Sequence, residues 1–172
     1  MREYSKFDII IANIPYLGMI LLGALTIAYA NTFSAWRVAV ACGYLAYGAV
    51  GTFWIMIFVC PYCHYYATRG CPCGYGMISA RIVRKGDQEC FAQKFKRHIP
   101  VIIPLWIIPV VCGGLELYSS FSWLLLGLVL AFIIESWIIL PIVSKKHACI
   151  ECPQKDQCPW MGKEAKDTKT TG

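Results

Sequence analysis

Charge is what this sequence has least of. Charged residues make up 15% of the 172, against about 25% in an ordinary soluble domain, so the chain lacks the means to cover itself with a water-facing surface of the usual kind. Histidine is scarcer still. The three, His64, His98 and His147, all stand at or beyond the ends of the apolar runs, which leaves no imidazole pair to clasp a b-type haem inside a membrane. No glycine-rich phosphate loop, serine triad, paired-carboxylate pattern or internal repeat occurs in the sequence. Nucleotide hydrolysis, serine-based acyl transfer and glycosidase chemistry are thereby without their residues.

Apolar length is present instead. The chain is 58% hydrophobic with a mean hydropathy of +0.54, and four runs, 9–30, 38–59, 99–118 and 123–143, are each about 20 residues long. At ~1.5 Å per residue each spans the ~30 Å hydrocarbon core of a bilayer. Lipid offers backbone groups no hydrogen bonds, so such runs are helices. The sequence therefore predicts an all-α integral membrane protein. Four transmembrane helices within residues 1–143 enclose a Cys-rich loop at 60–98, and a Cys-containing tail follows at 144–172, ending in the polar "GKEAKDTKTTG", which reads as disordered. The first run has basic residues before it and ends in Ala28-Tyr29-Ala30, in the manner of a signal peptide. It exceeds the ~7–15 apolar residues of a signal core, and Glu3 and Asp8 lie among the basic residues, so it is read as a span.

Orientation follows from where the cations are. Of the 16 lysines and arginines, only Arg37 adjoins the connection at 31–36; the others lie in the N-terminus, the loop and the tail. The positive-inside rule assigns those three segments, and both termini, to the cytoplasm of a multi-pass cell-membrane protein. The net charge of +6 then reports topology and attraction to the headgroups of the lipid bilayer, and no nucleic-acid partner is expected.

The cysteines share this partition. Eight of the ten fall on the basic side; Cys42 and Cys112 fall within spans and read as small buried apolar groups. In a reducing compartment closely spaced cysteines are metal ligands or redox thiols rather than disulfides. "CPYCHYYATRGCPCG", residues 60–74, sets Cys60, Cys63, Cys71 and Cys73 in a C-x2-C-x7-C-x-C pattern, and "CIECPQKDQCP" sets Cys149, Cys152 and Cys158 in C-x2-C-x5-C. A C-x2-C turn aims two sulfurs at one ion, while Pro61, Pro72, Pro153 and Pro159 stop the ligand loops from continuing as helix. The second and fourth spans exit as neighbours in a compact bundle, so the two groups are expected to meet. Cys90, His64 and His147 are the candidate extra ligands. Spacing leaves one site and two sites equally open.

Thiolate-rich sets select iron–sulfur clusters or zinc. The favoured expectation is a [4Fe–4S] centre relaying electrons at the cytoplasmic membrane surface, to a quinone-type carrier or as a subunit of an oxidoreductase complex. The alternative is a non-catalytic membrane scaffold whose cytosolic head is folded by zinc and binds another protein. "CPYCH", residues 60–64, also matches the c-type haem attachment signature. Such attachment belongs to the exported side and leaves six loop and tail cysteines without a role. Thiol–disulfide chemistry likewise belongs to the oxidising side.

Four further features invite a role. Glu135, inside the fourth span, suggests a proton or polar site. The third span carries Pro100, Pro104 and Pro109, which kink it, and then Gly113-Gly114, which permit a break; it reads first as a bent packing helix, and alternatively as one wall of a cavity near Glu135, between the third and fourth spans, that could admit a quinone-sized ligand. Ala35, Ala39 and Gly43 would allow a close helix approach. Tyr62, Tyr65, Tyr66 and Tyr75 read as interfacial aromatics, and 87–99 as an amphipathic helix on the headgroups.

Overall fold

The computed structural model describes residues 3–29, 35–149, 152–155 and 158, with backbone alone at 147–149. The expected disordered end lies outside the described residues. Every regular element among them is helical: α1 (Lys6–Ala28), α2 (Ala35–Phe58), α3 (Tyr75–Ile82), α4 (Phe91–His98), α5 (Pro104–Ser119), α6 (Trp123–Ile134) and α7 (Leu140–Val143), with 3-10 and π-helical turns between some of them. Four continuous helical runs, Lys6–Ala28, Ala35–Tyr62, Gln88–Ser119 and Trp123–Lys146, are long and apolar enough to cross a membrane. The third begins some ten residues before the expected 99. The predicted amphipathic segment does form α4, but it joins the third run through a 3-10 turn at Ile99–Ile102.

The contacts divide the chain into two compact units, Ile14–Gly51 with Val101–Ile142, and Met1–Asn13 with Thr52–Pro100 and Val143–Gly172. The first is a helical bundle. Its core draws Met19, Ile20, Ala24 and Ile27 from α1, Ala41 and Tyr44 from α2, Leu105 from α5 and Phe132 from α6. Ile14, Leu17, Leu21 and Leu25 form an exposed apolar stripe along α1, as a helix facing hydrocarbon requires.

Proline leaves carbonyls without helical donors, and tyrosines fill the vacancies. Pro109 has no N–H for the carbonyl four residues back, Leu105 O, which accepts instead from the buried Tyr44 hydroxyl at 2.8 Å. In the 3-10 turn before α5, Val101 O, three residues before Pro104, accepts from the Tyr47 hydroxyl. α5 runs unbroken to Ser119, so the break that Gly113-Gly114 would permit does not occur. Gly113 serves close packing: a Cβ there would lie 2.5 Å from Val129 and 3.0 Å from Thr26. The irregularity falls in the fourth run, where Glu135–Ile139 is a π-helical turn, placed where the ring of Pro141 would otherwise crowd the carbonyl of Trp137.

Two further expectations are corrected. Ala35, Ala39 and Gly43 are exposed, and the close approaches are made by Gly23 and Gly48 on a different face. Cys42 and Cys112 are also exposed; a thiol is apolar enough to face hydrocarbon. Arg37, the cation that departed from the charge asymmetry, pairs with Glu116 at 2.9 Å.

Gly23 gives a direct test of this packing. A Cβ at that position would stand 2.5 Å from the Tyr44 hydroxyl oxygen, which its bond to Leu105 holds in place. Gly23→Ala is expected to destabilise the detergent-solubilised protein by about 1–3 kcal/mol, lowering its thermal midpoint. Gly43→Ala, with nothing within 4 Å of the added carbon, leaves the midpoint unchanged or raises it.

Candidate metal centre

The second unit holds the cysteine motifs. Beyond Val59 the chain tightens into the 3-10 turn Cys60–Tyr62, with Pro61 buried at its start. Cys63 N–H donates to Cys60 O at 3.1 Å, so both sulfurs of the pair leave one turn. Further turns reverse the chain through Ala67, whose φ of 60° lies in the left-handed region and whose N–H donates to Gly76 O at 3.2 Å. Gly74, at φ 74°, opens α3. Gly76 N–H then donates to Cys71 Sγ at 3.4 Å. Only glycine fits there, because a Cβ would lie 2.6 Å from the Tyr65 carbonyl oxygen.

The loop is fastened from the N-terminus and from the tail. Tyr4 N–H donates to Arg69 O at 3.1 Å, and the Asn13 side-chain amide donates to Cys73 O at 3.1 Å and Ile9 O at 2.7 Å. In the tail, Lys155 N–H donates to Cys152 O and Cys158 N–H to Lys155 O. Gln154 lies between Cys152 and Lys155 and is 7% exposed. Its Oε1 accepts from His64 N–H at 2.7 Å, and its Nε2 donates to Tyr62 O and Gln88 O, each at 3.4 Å. One side chain therefore binds the tail, the Cys60–Cys63 turn and the turn that ends at Cys90.

The thiols consequently share one neighbourhood. Cys60 stands within electrostatic reach of Cys71, Cys63 and Cys73. Cys63 feels Cys71, Cys152 and Cys158, and Cys152 feels Cys158. Burial pushes the Cys63 thiol up to about 12, against a main-chain hydrogen bond from Tyr65 that favours the thiolate. Burial also raises Cys152, which has the corresponding bond from Gln154. A thiol held this way is protonated at neutral pH and a weak nucleophile, which disfavours thiol–disulfide catalysis. A bound cation would reverse that balance. Three sulfurs, those of Cys63, Cys71 and Cys152, thus already have amide donors of the kind that support metal-bound thiolate.

Electrostatic proximity is not a compact ligand set. Among the described residues no three His, Cys, Asp or Glu side chains form a group close enough to hold a metal. Cys90 ends a 3-10 turn near the Gln154 contact and is partly buried. His64 has its ring edge-on to Tyr65. The side chains of Cys149 and His147 lie outside the described residues.

Other expectations change with the geometry. Tyr65 is buried, Tyr66 donates its hydroxyl to Val83 O, and Lys94 lies over the Tyr62 ring, so these three build the loop rather than an aromatic belt. In the bundle, an open groove of about 320 Å³ does lie between the third and fourth runs, lined by Trp106, Ile107, Val110, Val111, Ile133 and Trp137. Glu135 is not among its walls. Its carboxyl packs against α1, where a Cβ on Gly18 would be 3.2 Å from Oε1. Ser136 donates to Phe132 O at 2.7 Å and so is not held by Glu135.

Gly76 is one of the loop glycines, with Gly70 and Gly74, whose backbone freedom the sequence already marks as suited to wrapping sulfur. Sequence reasoning missed Gln154 and Asn13, because a glutamine or asparagine whose partners are distant in sequence carries no signal. Comparison with protein-family models, with curated proteins and with solved structures finds no match to this chain.

Proposed function

We propose that this chain is a membrane-embedded iron–sulfur protein that relays electrons at the cytoplasmic face of the cell membrane. The observation that carries the reading is the shared neighbourhood of Cys60, Cys63, Cys71, Cys73, Cys152 and Cys158, three members of the two motifs having main-chain donors on sulfur. Buried thiols that are expensive to ionise alone suit a cation that takes up several of them together. A [4Fe–4S] cluster uses four thiolates, and the loop and tail motifs together supply more than four. The cytoplasmic assignment rests on the cation asymmetry, with Arg37 neutralised by Glu116. The electron acceptor is a quinone-type carrier or a partner subunit of a redox complex. The groove beside Trp106 and Trp137 offers a quinone apolar contact only.

Structural zinc in a scaffold protein is the second reading. The unit that carries the cysteines buries few large apolar side chains, among them Val59, Tyr65 and Phe91, and a small core gains much from a metal staple. Purification in detergent under strict exclusion of oxygen separates the two. Iron with labile sulfide, brown colour and an EPR signal on reduction is the expected result. A colourless protein with stoichiometric zinc establishes the second reading, and a protein without either metal removes both.

A further inference from the structure

One face of α3 is made for something other than water. Among the described residues outside the four apolar runs, the exposed large apolar side chains are Phe121, between the third and fourth runs, and Met77, Ile78 and Ile82, which are 38%, 43% and 54% exposed. The last three belong to one eight-residue helix. At 3.6 residues per turn Met77, Ile78, Arg81 and Ile82 share one face, and Gly76 and Ser79, the residues that α3 buries, lie on the opposite one. A surface helix ordinarily turns polar residues away from its buried side. α3 turns out three apolar residues and an arginine.

The charges beside that face are of one sign. From Tyr75 to Gly86 the chain carries Arg81, Arg84 and Lys85 and no acidic residue, and all three cations are exposed. Their backbone is held firmly: Tyr66 donates its hydroxyl to Val83 O, Gly86 N–H donates to Pro61 O at 3.0 Å, and α3 packs against the turn Cys60–Tyr62. That turn ends the second apolar run. Its 28 residues, at ~1.5 Å each, exceed the ~30 Å hydrocarbon core, so the turn emerges among the headgroups. An apolar face rimmed by cations and fixed at that level has the makeup of a helix lying in the membrane interface.

We infer that α3 binds acidic phospholipids, Met77, Ile78 and Ile82 entering the acyl layer while Arg81, Arg84 and Lys85 hold the anionic headgroups. The sequence assigns a headgroup-lying helix to 87–99, but that segment is continuous with the third run, and α3 takes the role. The inference stands independently of the metal reading.

The test uses the full-length protein with p-benzoylphenylalanine in place of Ile78 or, separately, of Met77, in nanodiscs of phosphatidylcholine with phosphatidylglycerol as the minor lipid. After irradiation, adducts are mapped by mass spectrometry. The expected product is a phospholipid adduct in which phosphatidylglycerol exceeds its share of the lipid several-fold. Arg81→Gln, Arg84→Gln and Lys85→Gln together are expected to bring phosphatidylglycerol down to that share. Adducts with the C-terminal peptide or with a second copy of the chain assign the face to a protein occupant and overturn the inference. Absence of lipid adducts at both positions overturns it too, as does labelling of the two lipids in simple proportion to the mixture when the three cations are intact.

Discussion

Replacing Cys63 by serine is expected to abolish metal retention by the purified protein, while Cys42→Ser and Cys112→Ser leave it at the parental level. Cys63 is the thiol through which the two motifs meet, feeling Cys71 on one side and Cys152 and Cys158 on the other. A serine hydroxyl is a hard ligand that stays protonated at neutral pH and does not replace a soft thiolate. Losing a group that merely orients a ligand costs about 10–100-fold in metal affinity, and the loss of a ligand exceeds that. Cys42 and Cys112 are exposed in α2 and α5, outside both motifs. The measurement is iron and zinc content by mass spectrometry after anaerobic purification, with circular dichroism to show that helix content is kept. Full metal occupancy in Cys63→Ser would move the centre away from this thiol and divide the two motifs.

The four helical runs were legible because they follow from two local properties, apolar length and the absence of backbone partners in lipid. Their ends were less so. The run that reaches back to Gln88 continues through "FAQKFKRH", whose charges made it look like a separate surface helix. Prolines signalled irregularity correctly, yet where it went depended on partners. Tyr44 and Tyr47 donate to carbonyls of the third run, whereas the fourth run widens to a π-helical turn at Glu135. In the centre, cysteine spacing gave the motifs and the chain path gave their meeting. The fastening did not show, because it is made by Gln154 and Asn13 to main-chain groups tens of residues away. The tyrosines misled for a related reason: at a span end an amphipathic ring suits a membrane interface and a small packed loop equally well.

The role of Gln154 can be read without any metal. Gln154→Leu keeps much of the side-chain volume and removes every polar atom, leaving His64 N–H, Tyr62 O and Gln88 O without the partner they now share. The three bonds are part-buried, so each group abandoned costs up to about 1 kcal/mol. The tail is then expected to leave the loop. In metal-free protein held in membranes, mild oxidation should couple Cys63 to Cys158 in the parent, and the yield should fall several-fold in Gln154→Leu. Cleavage after Lys155 by a lysine-specific protease should rise in step. Gln154→Glu, which keeps an acceptor for His64 N–H and loses the two donated bonds, should fall between them. If Gln154→Leu couples as readily as the parent and resists the protease as well, the tail is held by something other than this amide, and the route by which Cys152 and Cys158 reach the loop must be redrawn.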